Sequence, residues 1–305
     1  MGAKVLLFLR TAKDFPLNVL RSRYFCVILQ SLIDETFKMA KQAMIFAAGL
    51  GTRLKPLTDT KPKALIPVGG ETLLGRTIGR LMSFGYQDFV VNVHHFAKDI
   101  EAFVAEQDYA KLVRFSDETE MLLETGGGLK KAAPLFDPNE PILIHNVDIL
   151  DNVDYNWFAN QHRADEDAVL LVSRRQTKRY LLFDNGMRLM GWINKETGEI
   201  KSPFPWLREA ELTIDDQLNV RAAANSSLFT LHSSLHAFAF SGIHSFSPRL
   251  FPLMDRFPDR FSIIDFYLSV CHRSHIVGLV KDDLEMIDVG KLDSLQAAEA
   301  FVNEH

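Results

Sequence analysis

The stretch from Gln42 to Leu65 constrains this chain more than any other. Gln42–Phe46 is an apolar run of the length of one buried strand, closed by small residues and glycine. Gly49-Leu50-Gly51-Thr52-Arg53-Leu54-Lys55-Pro56-Leu57-Thr58 follows, and then Lys61-Pro62-Lys63-Ala64-Leu65. Gly49 and Gly51 allow a tight turn that brings backbone N–H groups close to an anion. Arg53 and Lys63 supply positive charge beside those amides, so the loop suits a polyphosphate. It is not a Walker loop, because no Gly-Lys-Ser/Thr follows. A dinucleotide-binding turn also fits poorly: the spacing is Gly-x-Gly-Thr-Arg, and Pro56 and Pro62 interrupt the helix that should come next.

Downstream, strand and helix patterns alternate. Thr72 is placed to cap a helix reaching about Phe84, with Leu74, Ile78, Leu81 and Met82 on one side and Gly85 as its stop. Asp88–Val93 reads as a β-branched strand, and Ala97–Glu106 as a helix that buries Ile100, Phe103 and Val104. This alternation argues for a parallel-type sheet covered by helices. His94 and His95 are neighbours at a strand end. Adjacent strand residues face opposite sides, so the pair is not read as a metal site. Ile142–Ile144 reads as a central strand, with Asn146 and Asp148 at its carboxyl end, where ligands bind in open α/β sheets. Leu123-Glu124-Thr125-Gly126-Gly127-Gly128 reads as a second glycine loop, with room for a flat ring or ribose against the backbone. Tyr180–Phe183 and Met187–Ile193 form a hairpin pattern around Asp184-Asn185-Gly186. Phe238–Phe246 alternates like a strand; Pro248–Met254, Ile263–His272 and Leu292–Val302 read as helical.

Composition removes several classes. With 305 residues, 47% hydrophobic and 24% charged, the chain is neither disordered nor fibrous, and its size supports a sizeable core without staples. A net charge of −5 gives no electrostatic reason to expect nucleic acid. Cys26 and Cys271 make no disulfide framework and no zinc motif, and no apolar run reaches the length of a membrane span. A cytoplasmic protein without a membrane partner is expected. Residues 1–38 stand apart: Lys4, Arg10, Lys13, Arg21, Arg23 and Lys38 outnumber Asp14, Asp34 and Glu35, and a second methionine follows at Met39. They are expected to be an N-terminal extension outside the fold, with the working domain spanning 39–305.

The full string Gly49-x-Gly51-Thr52-Arg53-x-x-Pro56-Leu57-Thr58-x-x-x-Pro62-Lys63-x-Leu65 resembles the signature of sugar-1-phosphate nucleotidyltransferases, and the resemblance runs from Met39 to about Val302. It implies a Rossmann-like three-layer α/β fold of the glycosyltransferase-A type. The sheet would be mixed, with a β region at 174–232 inserted over the sugar. The implied reaction joins a nucleoside triphosphate to a sugar 1-phosphate, with Mg2+ as cofactor and pyrophosphate as the other product. On this resemblance Arg53 and Lys63 are the catalytic cations. Ala48, Gly49, Gly51, Thr52, Glu124, Gly126, Gly127 and Asn146 bind the nucleotide, Ser241 and Gly242 lie under the sugar, and Asp148 and Asp288 hold the metal. Asn146-Val147-Asp148 departs from the family's Asn-Gly-Asp turn at its middle residue. Glu124–Gly128 is most similar to N-acetylmuramic-acid-1-phosphate uridylyltransferases, which implies UTP. A GTP-dependent mannose- or heptose-1-phosphate guanylyltransferase is the alternative. A non-catalytic nucleotide-binding regulator would often lack the lysine or one aspartate, and here all three are present. The sequence sets no expectation for oligomeric state.

Overall fold

The computed structural model describes residues 41–222 and 235–304. The expected extension at 1–38 and the last part of the 174–232 region lie outside the described residues.

Four parallel strands build the centre of the sheet: β1 (Lys41–Phe46), β2 (Tyr86–Val93), β3 (Val113–Asp117) and β4 (Ile142–Asn146). β1 lies between β2 and β4, and β3 extends the sheet beyond β2. Ala43, Met44 and Ile45 of β1 are 0% exposed, as expected for a strand covered on both faces. Their side chains alternate between two cores: Ala43 and Ile45 pack in one cluster and Met44 in the other. Helix α1 (Leu73–Ser83) begins where the Thr72 hydroxyl accepts the Gly75 N–H at 3.1 Å. It ends before Gly85, which takes φ +85°. Helices α2 (Ala97–Ala105), α3 (Glu124–Ala132), α4 (Ile263–Val270) and α5 (Asp293–Glu304) complete the longer helical elements.

After β4 the sheet becomes mixed. It takes in β6 (Ala168–Ser173), β7 (Arg179–Phe183), β8 (Leu189–Asn194), β9 (Ile200–Lys201), β10 (His236–Phe246) and β11 (Ile276–Val280), while β5 (Ile149–Asp151) and β12 (Met286–Asp288) pair in a separate two-stranded sheet. β10 holds the layers together by changing partners along its length. Its first residues, His236–Phe238, pair with β7, while Ile243–Phe246 pair antiparallel with β4. A register shift between Phe240 and His244, with Gly242 at φ +83°, makes the change possible. Beyond β7 the sheet continues with β8 and then β9, and Tyr180, Leu182, Ile193 and Leu207 form a small core cluster there.

The β7–β8 hairpin forms, but not through a two-residue Asn-Gly turn. Asp184 Oδ1 accepts the N–H groups of Gly186 and Arg188, both at 2.9 Å, and Met187 takes the left-handed φ of 59°. The aspartate side chain therefore organises a longer turn. Strands β3, β6 and β11 had no counterpart in the pattern reading, although the wholly buried Ala168–Ser173 run is the ordinary sign of a strand covered on both faces.

Candidate active site

The loop after β1 leaves its amides open. Asn92, a buried polar residue on β2, accepts the Ala47 N–H at 2.7 Å and the Ala48 N–H at 3.3 Å through Oδ1. That fixes where the strand ends. Beyond it, the N–H groups of Gly49 through Arg53 donate to no group among the described residues. Gly51 takes φ +61°, and its carbonyl accepts from the Leu54 N–H and the Thr58 hydroxyl, both at 2.8 Å. A Cβ on Gly51 would lie 2.8 Å from Thr58 Cγ2 and 3.1 Å from Lys63 Cβ, so only glycine fits this turn. The result is a run of N–H groups without an internal acceptor, and such groups are free to receive an anion.

Lys63 is only 9% exposed, and its ammonium is ion-paired with Asp148 Oδ2. Asp148 follows β4. Strand β12 returns antiparallel to β5, with Asp288 opposite Ile149, and the Val289 N–H donates to the Asp148 carbonyl at 2.8 Å. Two aspartates remote in sequence thus stand side by side. Asp288 borders solvent, yet partial enclosure of its carboxyl raises its pKa above the usual carboxylate value, and the negative charge of Asp148 adds to the rise. Lys63, Arg53 and Arg175 oppose the shift. Gly290 brings Arg53 close: a Cβ there would be 2.5 Å from Asp288 Oδ1 and 2.6 Å from Arg53 Nη2. Arg53, Lys63, Asp148 and Asp288 therefore converge at the loop.

A cleft of about 410 Å3 opens beside this cluster, bordered by Ala48, Gly49, Lys63, Glu124, Asn146 and Asp148. Thr52 and Arg53 are exposed at the loop itself. Val147 borders the cleft too, but it is 3% exposed and belongs to the core cluster under the sheet. Two further polar residues of the cleft carried no sequence expectation. Glu118, 0% exposed, accepts from Asn92 Nδ2 at 2.7 Å and from the Leu123 N–H at 3.0 Å. Burial raises its pKa, and those two hydrogen bonds work against the rise. Gly128 makes space for the pair: a Cβ there would fall 2.6 Å from Glu118 Oε1. One buried chain of bonds thus ties the end of β1 to the segment preceding α3. An asparagine among the valines of β2 is the sequence signal for it; Glu118 has none.

Three expectations need correction. Gly126 and Gly127 do not form an open loop. They lie within α3, both donate their N–H to the Phe261 carbonyl (2.9 and 3.2 Å), and neither borders the cleft. A Cβ on Gly126 would be 2.4 Å from the Phe261 ring, and one on Gly127 would be 1.9 Å from the Asp259 carbonyl oxygen. These glycines admit the protein's own backbone. Ser241 is 2% exposed, and its hydroxyl donates to the Leu171 carbonyl at 2.8 Å, so it faces no open surface. Gly242 leaves room for Asn146, whose Nδ2 a Cβ would meet at 2.6 Å. Glu124 does border the cleft, held by Arg260 Nε at 2.9 Å. His94 Nδ1 donates to the Glu118 carbonyl at 2.6 Å, a strand-end contact as expected.

The donor set fits a hard divalent cation. Among the described residues no cluster of three or more His, Cys, Asp or Glu side chains exists. Two carboxylates with open space beside them suit Mg2+, which keeps waters and takes the rest of its oxygens from substrate phosphates.

Comparison with known proteins bears on the same region. Residues 42–182 match the family model described as Nucleotidyl transferase. The N-acetylmuramate alpha-1-phosphate uridylyltransferase of Caulobacter vibrioides is 42% identical over 111 residues, 35% of this chain and 46% of that protein. A mannose-1-phosphate guanyltransferase of Hypocrea jecorina is 29% identical over 144 residues, covering 46% of this chain and 39% of that one. The chain thus spans about half the length of these relatives, or less. The inositol-1-phosphate CTP transferase from T. maritima superposes with a TM-score of 0.63 at 15% identity, over 86% of this chain and 95% of that one. It shares the α/β three-layer fold with a mixed central sheet.

Proposed function

We propose, on the match of residues 42–182 to the Nucleotidyl transferase family model, that the protein condenses a sugar 1-phosphate with a nucleoside triphosphate, giving a nucleotide sugar and pyrophosphate. The observation that carries the reading is the convergence of Arg53, Lys63, Asp148 and Asp288 beside a loop whose N–H groups have no internal acceptor among the described residues. The difficulty of the reaction is electrostatic, because one phosphate dianion must approach a triphosphate. The sugar phosphate is its own nucleophile: its second pKa lies near 6, so no general base is required at neutral pH. Arg53 and the amides around Gly51 hold the phosphates that leave, Lys63 neutralises charge at the reacting phosphorus, and Ala48, Thr52 and Asn146 position the nucleotide. Asp148 and Asp288 would hold Mg2+, whose bound charge offsets the repulsion between the two phosphate groups. An in-line attack inverts phosphorus and leaves the anomeric carbon untouched.

Within this class we take UTP and N-acetylmuramic acid 1-phosphate as the substrates, on the likeness to the Caulobacter protein. GTP with mannose 1-phosphate is the second reading, on the likeness to the Hypocrea protein. Location in the cytoplasm belongs to the same proposal. Among the described residues no helix is long and apolar enough to cross a membrane. Pyrophosphate release is the test, with four nucleotides crossed against N-acetylmuramic acid, mannose, heptose and glucose 1-phosphates. Fastest turnover with UTP and the muramate is expected. Release with no pair would reject the enzyme, and preference for GTP with mannose 1-phosphate would move it to the second reading.

A further inference from the structure

A second cavity, of about 260 Å3, lies among α1, β5 and α5, and it shares no lining residue with the cleft. Arg76, Arg80, His145 and Asp151 line it. Arg76 and Arg80 are one turn apart on α1 and so face the same way. Each guanidinium is fixed at one end: Arg76 Nη2 donates to the Val68 carbonyl at 3.0 Å, and Arg80 Nη2 to the Val153 carbonyl at 2.9 Å. The Nε–H of each is buried and meets no acceptor among the described residues. His145 is 2% exposed and donates Nε2–H to Asp151 Oδ2 at 3.1 Å. Asp151 also accepts from the Tyr155 hydroxyl at 2.8 Å and the Val153 N–H at 2.9 Å, so it can only receive the histidine proton. That tautomer leaves Nδ1 with a lone pair, and Nδ1 is likewise buried and unpartnered.

Of the four buried side-chain nitrogen or oxygen atoms without a partner among the described residues, three belong to this one cavity; Tyr109 Oη is the fourth. Buried polar groups are seldom left unpaired, so their gathering here calls for an occupant of matching chemistry. The two Nε–H groups require acceptor oxygens, and Nδ1 requires a donor. A hydrogen phosphate supplies both: oxygens that accept and one O–H that donates. The cationic charge is compensated only loosely, with Glu71 at 3.5 Å from Arg76 and Asp151 at 3.6 Å from Arg80. We propose that this cavity binds a free hydrogen phosphate ion at a site separate from the cleft.

The test is a titration of the full chain, labelled with 15N at arginine, with inorganic phosphate at neutral pH. The proposal expects the Arg76 and Arg80 Nε–H signals to move together. Sulfate, which carries no proton at that pH, should bind more weakly. Arg76→Gln should weaken phosphate binding about ten- to a hundredfold, the scale of a lost hydrogen bond to a charged group. Lys63→Ala should leave the shifts in place, which separates this site from the cleft. Glycerol 3-phosphate, a monoester that is mostly dianionic at that pH, should like sulfate bind more weakly than phosphate; equal or tighter binding would contradict the role given to His145 Nδ1. Arginine signals unmoved by either probe would mean that water alone fills the cavity, and would overturn the proposal. Shifts that vanish in Lys63→Ala and persist in Arg76→Gln would overturn it as well. Arg80 also lies over the rings of Phe84 and Tyr155, so its replacement risks the fold; Arg76→Gln decides without it. No readout here depends on turnover, so this result and that of the proposed reaction are independent.

Discussion

Gly49–Gly51 and Gly126–Gly128 are two glycine-rich segments, and glycine serves opposite ends at Gly49 and Gly127. At Gly49 a Cβ would meet nothing within 4 Å, and the N–H groups from Gly49 to Arg53 donate to no group among the described residues. At Gly127 a Cβ would reach within 1.9 Å of a carbonyl oxygen, and the N–H is already given to Phe261. Gly49 leaves open space beside the cleft, whereas Gly127 keeps space for the 259–261 backbone. Whether a glycine run marks a binding loop is therefore decided by whether its amides already have an acceptor, and glycine itself is silent on that.

Four changes sharpen or break this contrast. The largest effect should come from the charges beside the first segment: Lys63→Ala or Asp148→Asn should lower kcat by about 10²–10³, the scale of losing one preorganised charge partner. Pyrophosphate release on folded variants measures it, and near-parental turnover would remove the assigned role. Next, Gly127→Ala should destabilise the fold by about 3 kcal/mol, because a backbone carbonyl cannot swing aside as a side chain can. Gly49→Ala should stay within about 0.5 kcal/mol of the parent. Equal denaturation midpoints for those two variants would break the comparison. Gly51→Ala should be intermediate, at about 1–2 kcal/mol for a left-handed residue with a Cβ. The smallest effect is a pH dependence. Glu118 has a raised pKa in the fold, so its contribution to stability is complete below the unfolded carboxylate pKa and is lost as pH rises through the folded one. Melting curves of Glu118→Gln across the acid range should lack that loss; parallel curves for parent and variant would show that Glu118 does not titrate as described.

Legibility varied with the physical signal. β1, β2, β4 and α1 were readable because each has its own marker: an apolar run, a β-branched run, or the Thr72 cap with the Gly85 stop. The Asp148–Asp288 pairing was not readable from local pattern. β5 and β12, which join the two, are three residues each, too short to show a period, and only the family resemblance pointed to the pair. Ser241 and Gly242 were assigned to the sugar by motif, whereas their contacts form the bulge that seats Asn146. Asn92 and Glu118 went unnoticed for a different reason. A buried hydrogen-bonded pair joins distant segments: Asn92 shows only as a polar residue among the valines of β2, and nothing local marks Glu118 as its partner.

The central claim is that Asp148 and Asp288 act as one site for a single divalent ion. Its most direct test is a titration of the full chain with Mn2+ in the presence of UTP, followed by electron paramagnetic resonance, for the parent and for Asp148→Asn and Asp288→Asn. One bound ion per chain in the parent, with affinity lost alike in both variants, is the predicted result. Parental affinity in either variant would contradict the account.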